Sequence, residues 1–237
     1  MKILPDWLKN GYLRLIDPVA NLLVRAGVHP NTITAFGTAC TIAAAVIFGM
    51  GHIRTAGWFF GLTALFDVLD GTVARRSGQE SIFGAFLDST LDRLADGAIF
   101  VGLATFYALD ATHGSTLMML VCMSGLIGAL MTSYTRARAE PLGIDAKVGM
   151  VQRPERVVLL SAPQAFFGLA LNGWVLKAVV VIITIGAWIT VIQRVAFVYR
   201  QTSNRGDAEP LRLPVERSST ASRRREGKRS LLKGEKS

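Results

Sequence analysis

Long apolar runs broken by short charged ones occupy the chain from residue 32 to residue 198. Six of them, 32–51, 55–75, 84–110, 115–136, 155–172 and 174–198, have the length of a membrane crossing. A helix rising about 1.5 Å per residue needs about 20 residues to cross a hydrocarbon core. The pattern therefore predicts an all-α integral membrane protein with six transmembrane helices. Asn172 and Gly173 mark a tight turn between the last two. Upstream, Trp7, Leu8, Leu15, Ile16, Val19, Leu22 and Leu23 recur at helical spacing, interrupted by Asp6, Lys9, Arg14 and Arg25. This predicts one or two amphipathic helices lying along the membrane interface, broken near Gly11 and Pro18. The expected organisation is an interfacial segment at 1–28, a six-helix body at 29–200 and a basic tail at 201–237.

Composition agrees with a membrane protein. The 237 residues are 51% hydrophobic and 18% charged, with mean hydropathy +0.38, outside the range of an ordinary soluble domain. The net charge of +9 is uneven: residues 201–237 hold ten Lys or Arg against five Asp or Glu. That tail reads as disordered and cytoplasmic. No recognition fold accompanies it, so no nucleic-acid partner is expected. Cys40 and Cys122 sit in apolar runs and read as buried thiols, without a disulfide framework. The first residues lack the basic, apolar and cleavage pattern of a signal peptide.

Loop charge orients the predicted layout. Alternating crossings put both termini and the loops near 75–84 and 136–156 on one side, and nearly all Lys and Arg fall there. The opposite side receives Arg54 and Lys177. The positive-inside rule then places both termini on the cytoplasmic side of the cell's inner membrane.

Against that background, the stretch from Asp67 to Asp92 stands out. Asp67, Asp70 and Ala74 share one helix face at i, i+3 and i+7, with Gly71 beside them and Arg75 following. On the next helix Gly84, Asp88 and Asp92 share a face at i, i+4 and i+8. The short connection lets the two faces meet as an antiparallel hairpin. Four carboxylates at low dielectric need protonation, cationic partners or metal. An all-oxygen donor set favours magnesium or manganese over zinc or copper. Paired divalent ions at a membrane surface suit phosphate chemistry, with the outermost carboxylate, Asp92, available as a base. Taken alone, the same carboxylates also suit a transporter that carries ionisable groups within the membrane.

The spacing resembles the signature of the CDP-alcohol phosphotransferase family, D-x2-D-G-x2-A-R-x8-G-x3-D-x3-D. Asp67, Asp70, Gly71, Ala74, Arg75, Gly84, Asp88 and Asp92 satisfy all eight positions. Within the family the chain resembles the bacterial phosphatidylinositol phosphate synthases, through "GVHPNTIT" at 27–34, "SYTRARAE" at 133–140, "QRPERVVLL" at 152–160 and "VIQRVAFVYR" at 191–200. The resemblance implies that Asp67, Asp70, Asp88 and Asp92 hold two Mg2+ ions, or Mn2+, and that Asp92 is the catalytic base. It implies a CDP-diacylglycerol site at Pro30, Asn31, Thr32, Asp67, Gly71, Ala74, Arg75 and Ser81. It assigns the acceptor phosphate to Arg136, Arg153, Arg156 and Arg194, with Arg138 as an orienting neighbour. Arginine clusters suit a dianionic phosphate because the planar fork donates several charge-assisted hydrogen bonds.

The implied reaction moves a phosphatidyl group from CDP-diacylglycerol to inositol 1-phosphate, releasing CMP. Glycerol 3-phosphate is the alternative acceptor. The resemblance further implies a homodimer. Arg136 stands where such synthases commonly carry lysine, so the acceptor is less tightly specified than the reaction.

Overall fold

The computed structural model describes residues 6–149 and 153–203, with side chains described over 16–149 and 154–203. The tail beyond residue 203, the first five residues and the side chain of Arg153 lie outside the described residues. The helices are α1 Asp6–Arg25, α2 Pro30–Gly49, α3 Ile53–Ser77, α4 Ile82–Leu109, α5 Thr116–Ala139, α6 Arg153–Phe167 and α7 Trp174–Ser203. Residues through Val198 belong to one compact unit, and the last described turn, 199–203, to a second.

The fold is all-α, but the prediction of six membrane crossings is not upheld. Among the described residues, three helical segments are long and apolar enough to cross a membrane: Pro30–Gly49, Thr116–Leu142 and Leu171–Ser203. Charge removes α3 and α4 from that set. Arg54, Asp67, Asp70, Arg75 and Arg76 interrupt the first, and Asp88, Asp92, Arg93 and Asp96 the second. Helix α6 has only 15 residues. At about 1.5 Å per residue it reaches roughly 22 Å, short of a hydrocarbon core. The six apolar runs are therefore six helices of the fold, three of which qualify as spans.

Of the one or two helices expected here, the structure has one, α1, and it runs through Gly11 and Pro18 without the expected breaks. A proline forfeits one backbone hydrogen bond inside a helix. Here Ile16 and Ala20, on either side of Pro18, are buried with Ile33, Leu69 and Val73, and that packing offsets the loss. Arg76 near the end of α3 ties the same helix down, donating to Asp17 Oδ1 at 2.5 Å and to Asn21 Oδ1 at 2.7 Å.

The core lies where α2, α3, α4, α5 and α7 meet around Phe48, Phe60, Leu103, Phe106 and Ile183. Small residues let the backbones approach. A Cβ on Gly102 of α4 would stand 2.1 Å from the Ala45 carbonyl oxygen of α2. One on Gly57 of α3 would stand 2.5 Å from the Ala165 backbone nitrogen of α6. On α5, Gly125 and Gly128 face Thr184 and Ala187 of α7, so these glycines serve packing within the chain. The turn before α7 matches the one predicted, with Leu171 and Asn172 at φ 57° and 54° and Gly173 at φ 71°. At the end of α4, Asp110 accepts from the N–H groups of Thr112 and His113 at 2.9 and 2.6 Å. Those donors hold its carboxyl below the usual carboxylate range.

Candidate active site

Two helix starts and one helix end form the first half of the site. His29 caps α2, its Nδ1 accepting from the Asn31 N–H at 3.2 Å, and Pro30 occupies the first turn. Ser81 caps α4, its Oγ accepting from the Gly84 N–H at 2.9 Å. Gly78 closes α3 in the left-handed conformation at φ 67°, which reverses the chain between the aspartate-bearing helices. Gly84 keeps α4 close to α2: a Cβ there would lie 3.2 Å from Asn31 Oδ1.

These ends surround a cavity of about 380 Å³ lined by Pro30, Asn31, Asp70, Gly71, Ala74, Arg75, Ser81, Gly84 and Asp88. Eight residues of the predicted nucleotide and metal sets, Asp88 among them, thus line one cavity together with signature Gly84. Asp70 is buried within it. Its Oδ2 accepts from the Thr34 hydroxyl at 2.7 Å, and its Oδ1 from the Gly71 N–H at 2.5 Å. Asp88 and Asp67 lie near enough for their charges to bear on Asp70. Asp67 itself is exposed and lines neither this cavity nor the next; Thr32 is likewise exposed, its N–H spent on the His29 carbonyl at 3.0 Å.

A second cavity of about 690 Å³ opens on the other side of α4, lined by Asp88, Asp92, Asp96, Arg136, Glu140, Arg156 and Arg194 among others. Ala85 and Asp88 belong to both cavities. Three of the four predicted acceptor arginines converge here, each held differently. Arg194 is buried and donates from Nε to the Val148 carbonyl at 2.8 Å and from Nη1 to the Thr132 carbonyl. Arg136 Nε bonds Glu140 at 3.2 Å near the surface. Arg156, 4% exposed, pairs through Nη2 with Asp96. Arg138 is not in this cavity; it borders a separate groove with Tyr134, Leu142 and Val195.

Sequence reasoning missed Thr34 and Asp96. Thr34 lies one helical turn past Pro30, and Asp96 continues the Asp88–Asp92 face by one more i+4 step, so spacing carried the signal for both.

The donors around Asp70 and Asp88 are oxygens held on two helices, the chemistry of a hard divalent cation such as magnesium or manganese. Among the described residues, no three His, Cys, Asp or Glu side chains are grouped closely enough to hold an ion as they stand. The residue types fit a divalent metal; the tight cluster expected from spacing is not present.

Residues 27–199 match the CDP-alcohol phosphatidyltransferase family, which is well over half of the chain. The chain belongs to that family. It is 38% identical over 187 residues to a phosphatidylinositol phosphate synthase of Mycobacteroides abscessus, covering 78% of this chain and 84% of the relative. It is 36% identical over 188 residues to an archaetidylinositol phosphate synthase of Methanothermobacter thermautotrophicus, covering 79% and 90%. The crystal structure of Mycobacterium tuberculosis phosphatidylinositol phosphate synthase with CDP-DAG bound superposes with TM-score 0.72 at 32% identity, over 78% of this chain and 94% of that one. The same enzyme in complex with manganese and citrate gives TM-score 0.71 at 31% identity, over 78% and 88%. Family membership makes the chain an enzyme of the CDP-alcohol phosphatidyltransferase type and a multi-pass membrane protein, and it retires the transporter reading.

Proposed function

We propose that this enzyme transfers the phosphatidyl group of CDP-diacylglycerol to inositol 1-phosphate, giving phosphatidylinositol phosphate and CMP. The observation that carries the reading is the pair of cavities joined at Asp88, one walled by the signature and the other by three arginines. The solved relative carries CDP-DAG, and the curated relatives are named as synthases of phosphatidylinositol phosphate and archaetidylinositol phosphate.

In this reading the CDP group occupies the smaller cavity. Asn31, Gly71, Arg75 and Ser81 meet it there, with Thr32 and Asp67 at its outer edge. The acceptor enters the larger cavity, its phosphate met by Arg136, Arg156 and Arg194, with Arg153 assigned to the same task. Asp92 lines only the acceptor side, where a base is needed. It takes the proton of the attacking hydroxyl as that oxygen bonds the phosphorus carrying diacylglycerol. The bond from that phosphorus to the oxygen of the CMP phosphate breaks, and CMP leaves with the oxygen. Two divalent ions, held among Asp67, Asp70, Asp88 and Asp92, would neutralise phosphate charge.

The site-bearing ends of the helices would face the cytoplasm. Arg75, Arg76, Arg93, Arg136 and Arg138 gather at those ends, while Arg54 and Lys177 stand at the others. Helix α2 begins on the site side and α7 carries Arg194 there, so the proposal puts both termini on that side. It also includes the homodimer that the family resemblance implies.

The test is CMP release by the purified full chain with CDP-diacylglycerol, magnesium and, in turn, inositol 1-phosphate, glycerol 3-phosphate, inositol or serine. Inositol 1-phosphate is expected to give the highest kcat/KM. A preference for glycerol 3-phosphate would replace the acceptor and leave the reaction class intact.

A further inference from the structure

The second cavity contains a carboxylate that the family signature does not reach. Asp96 follows Asp88 and Asp92 on the same face of α4, and it points at Arg156 across 60 residues of sequence. The Arg156 side chain is 5% exposed and the Asp96 side chain 14%. Asp96 Oδ2 accepts from Nη2 of the guanidinium. The rest of that guanidinium is unanswered: Nε and Nη1 are buried without a hydrogen-bond partner. A buried cationic N–H group without an acceptor is costly, and an arginine fork offers five such donors. The two donors border a cavity that also holds Arg136 and Arg194. Arg194 has no comparable vacancy at Nε and Nη1, because two backbone carbonyls take them.

These facts divide the labour between the two buried arginines. Backbone sets the orientation of Arg194. For Arg156 the orientation is set by one carboxylate, and the charges of its two arginine neighbours would otherwise favour its withdrawal. We propose that Asp96 is a positioning residue for the acceptor: it holds Arg156 by Nη2 so that Nε and Nη1 present donors to an anionic oxygen in the cavity. The inference rests on the reading of the acceptor as a phosphorylated polyol. It gives Asp96 a role, carried by its Oδ2, distinct from the metal binding proposed for Asp67, Asp70, Asp88 and Asp92.

Steady-state kinetics of the full chain in detergent–lipid micelles test the proposal. Wild type is first run with inositol 1-phosphate and glycerol 3-phosphate. No turnover with either would defeat the functional reading itself. Given turnover, Asp96→Asn is expected to raise the acceptor KM about tenfold or more, the scale of a lost charge-assisted hydrogen bond. The KM for CDP-diacylglycerol should stay within about twofold. Asp96→Glu should recover part of the acceptor affinity. On an Arg156→Lys background, Asp96→Asn should add little, because both changes act on one interaction. An unchanged acceptor KM, equal rises in both KM values, or additive effects in the double variant would overturn the assignment. If Asp96→Asn does not fold, Asp96→Glu supplies the same readout: a selective rise in acceptor KM supports the role, and no rise removes it.

Discussion

Asp70 on α3 and Asp92 on α4 have different surroundings although both are signature aspartates. Asp92 is half-buried and borders only the arginine-lined cavity. Asp92→Asn keeps the shape and removes the basic oxygen. Turnover should fall by at least about 100-fold, the usual worth of a general base. Binding of CDP-diacylglycerol, measured by titration, should change little; turnover near that of wild type would remove Asp92 as the base. Asp70 instead depends on Thr34, whose hydroxyl bonds it at 2.7 Å from 36 positions away. Groups that orient a metal ligand commonly matter 10–100-fold for metal affinity. Thr34→Val, of similar volume, should therefore raise the magnesium concentration for half-maximal activity by about tenfold. An unaltered magnesium requirement would mean that Asp70 does not hold an ion in the way proposed. At this scale the eight signature positions were legible because they lie in one short stretch. Spacing put Thr34 and Asp96 on the right helix faces, but their roles were not legible, because the partner of each, Asp70 or Arg156, is brought near only by folding.

Among elements, each apolar run became a helix, and the ends differ from the pattern by only a few residues. What the pattern did not separate is an apolar face turned to lipid from one turned to other helices. Helices α3 and α4 bury Val73, Ile99 and Leu103 against neighbours while their other residues carry the charges of the site. Their apolar content therefore reports packing as much as membrane. Helix α6 ends after Phe167, five residues before the boundary read from hydropathy. Helices α2 and α4 each contribute a wall of the smaller cavity, with α3 supplying a third, so the α2–α4 contact helps to shape it. Gly102→Ala would drive a methyl into the Ala45 carbonyl. Overpacking of this kind costs about 1–3 kcal/mol. The melting temperature in detergent should drop, and the KM for CDP-diacylglycerol should rise more than that for the acceptor. Unchanged stability would show that the two helices are not in firm contact at this point.

For the molecule as a whole, the decisive property is that the two cavities, proposed to take the nucleotide and the acceptor, share Ala85 and Asp88 in their linings. Both substrates can then be present together, and direct displacement requires no phosphatidyl–enzyme intermediate. Initial-rate plots against the two substrates should intersect, and labelled CMP should not exchange into CDP-diacylglycerol when the acceptor is omitted. Parallel plots with rapid exchange would instead indicate a covalent intermediate. The family and its reaction were readable from the linear signature, whereas this junction is a property of the assembled helices. It also has a pharmacological consequence. A single compound carrying a cytidine diphosphate at one end and a phosphorylated polyol at the other would fill both chambers at once. Tethering raises the effective concentration of the second group after the first has bound. Such a bisubstrate ligand should bind more tightly than either half, and the length of its linker would measure the passage beside Asp88.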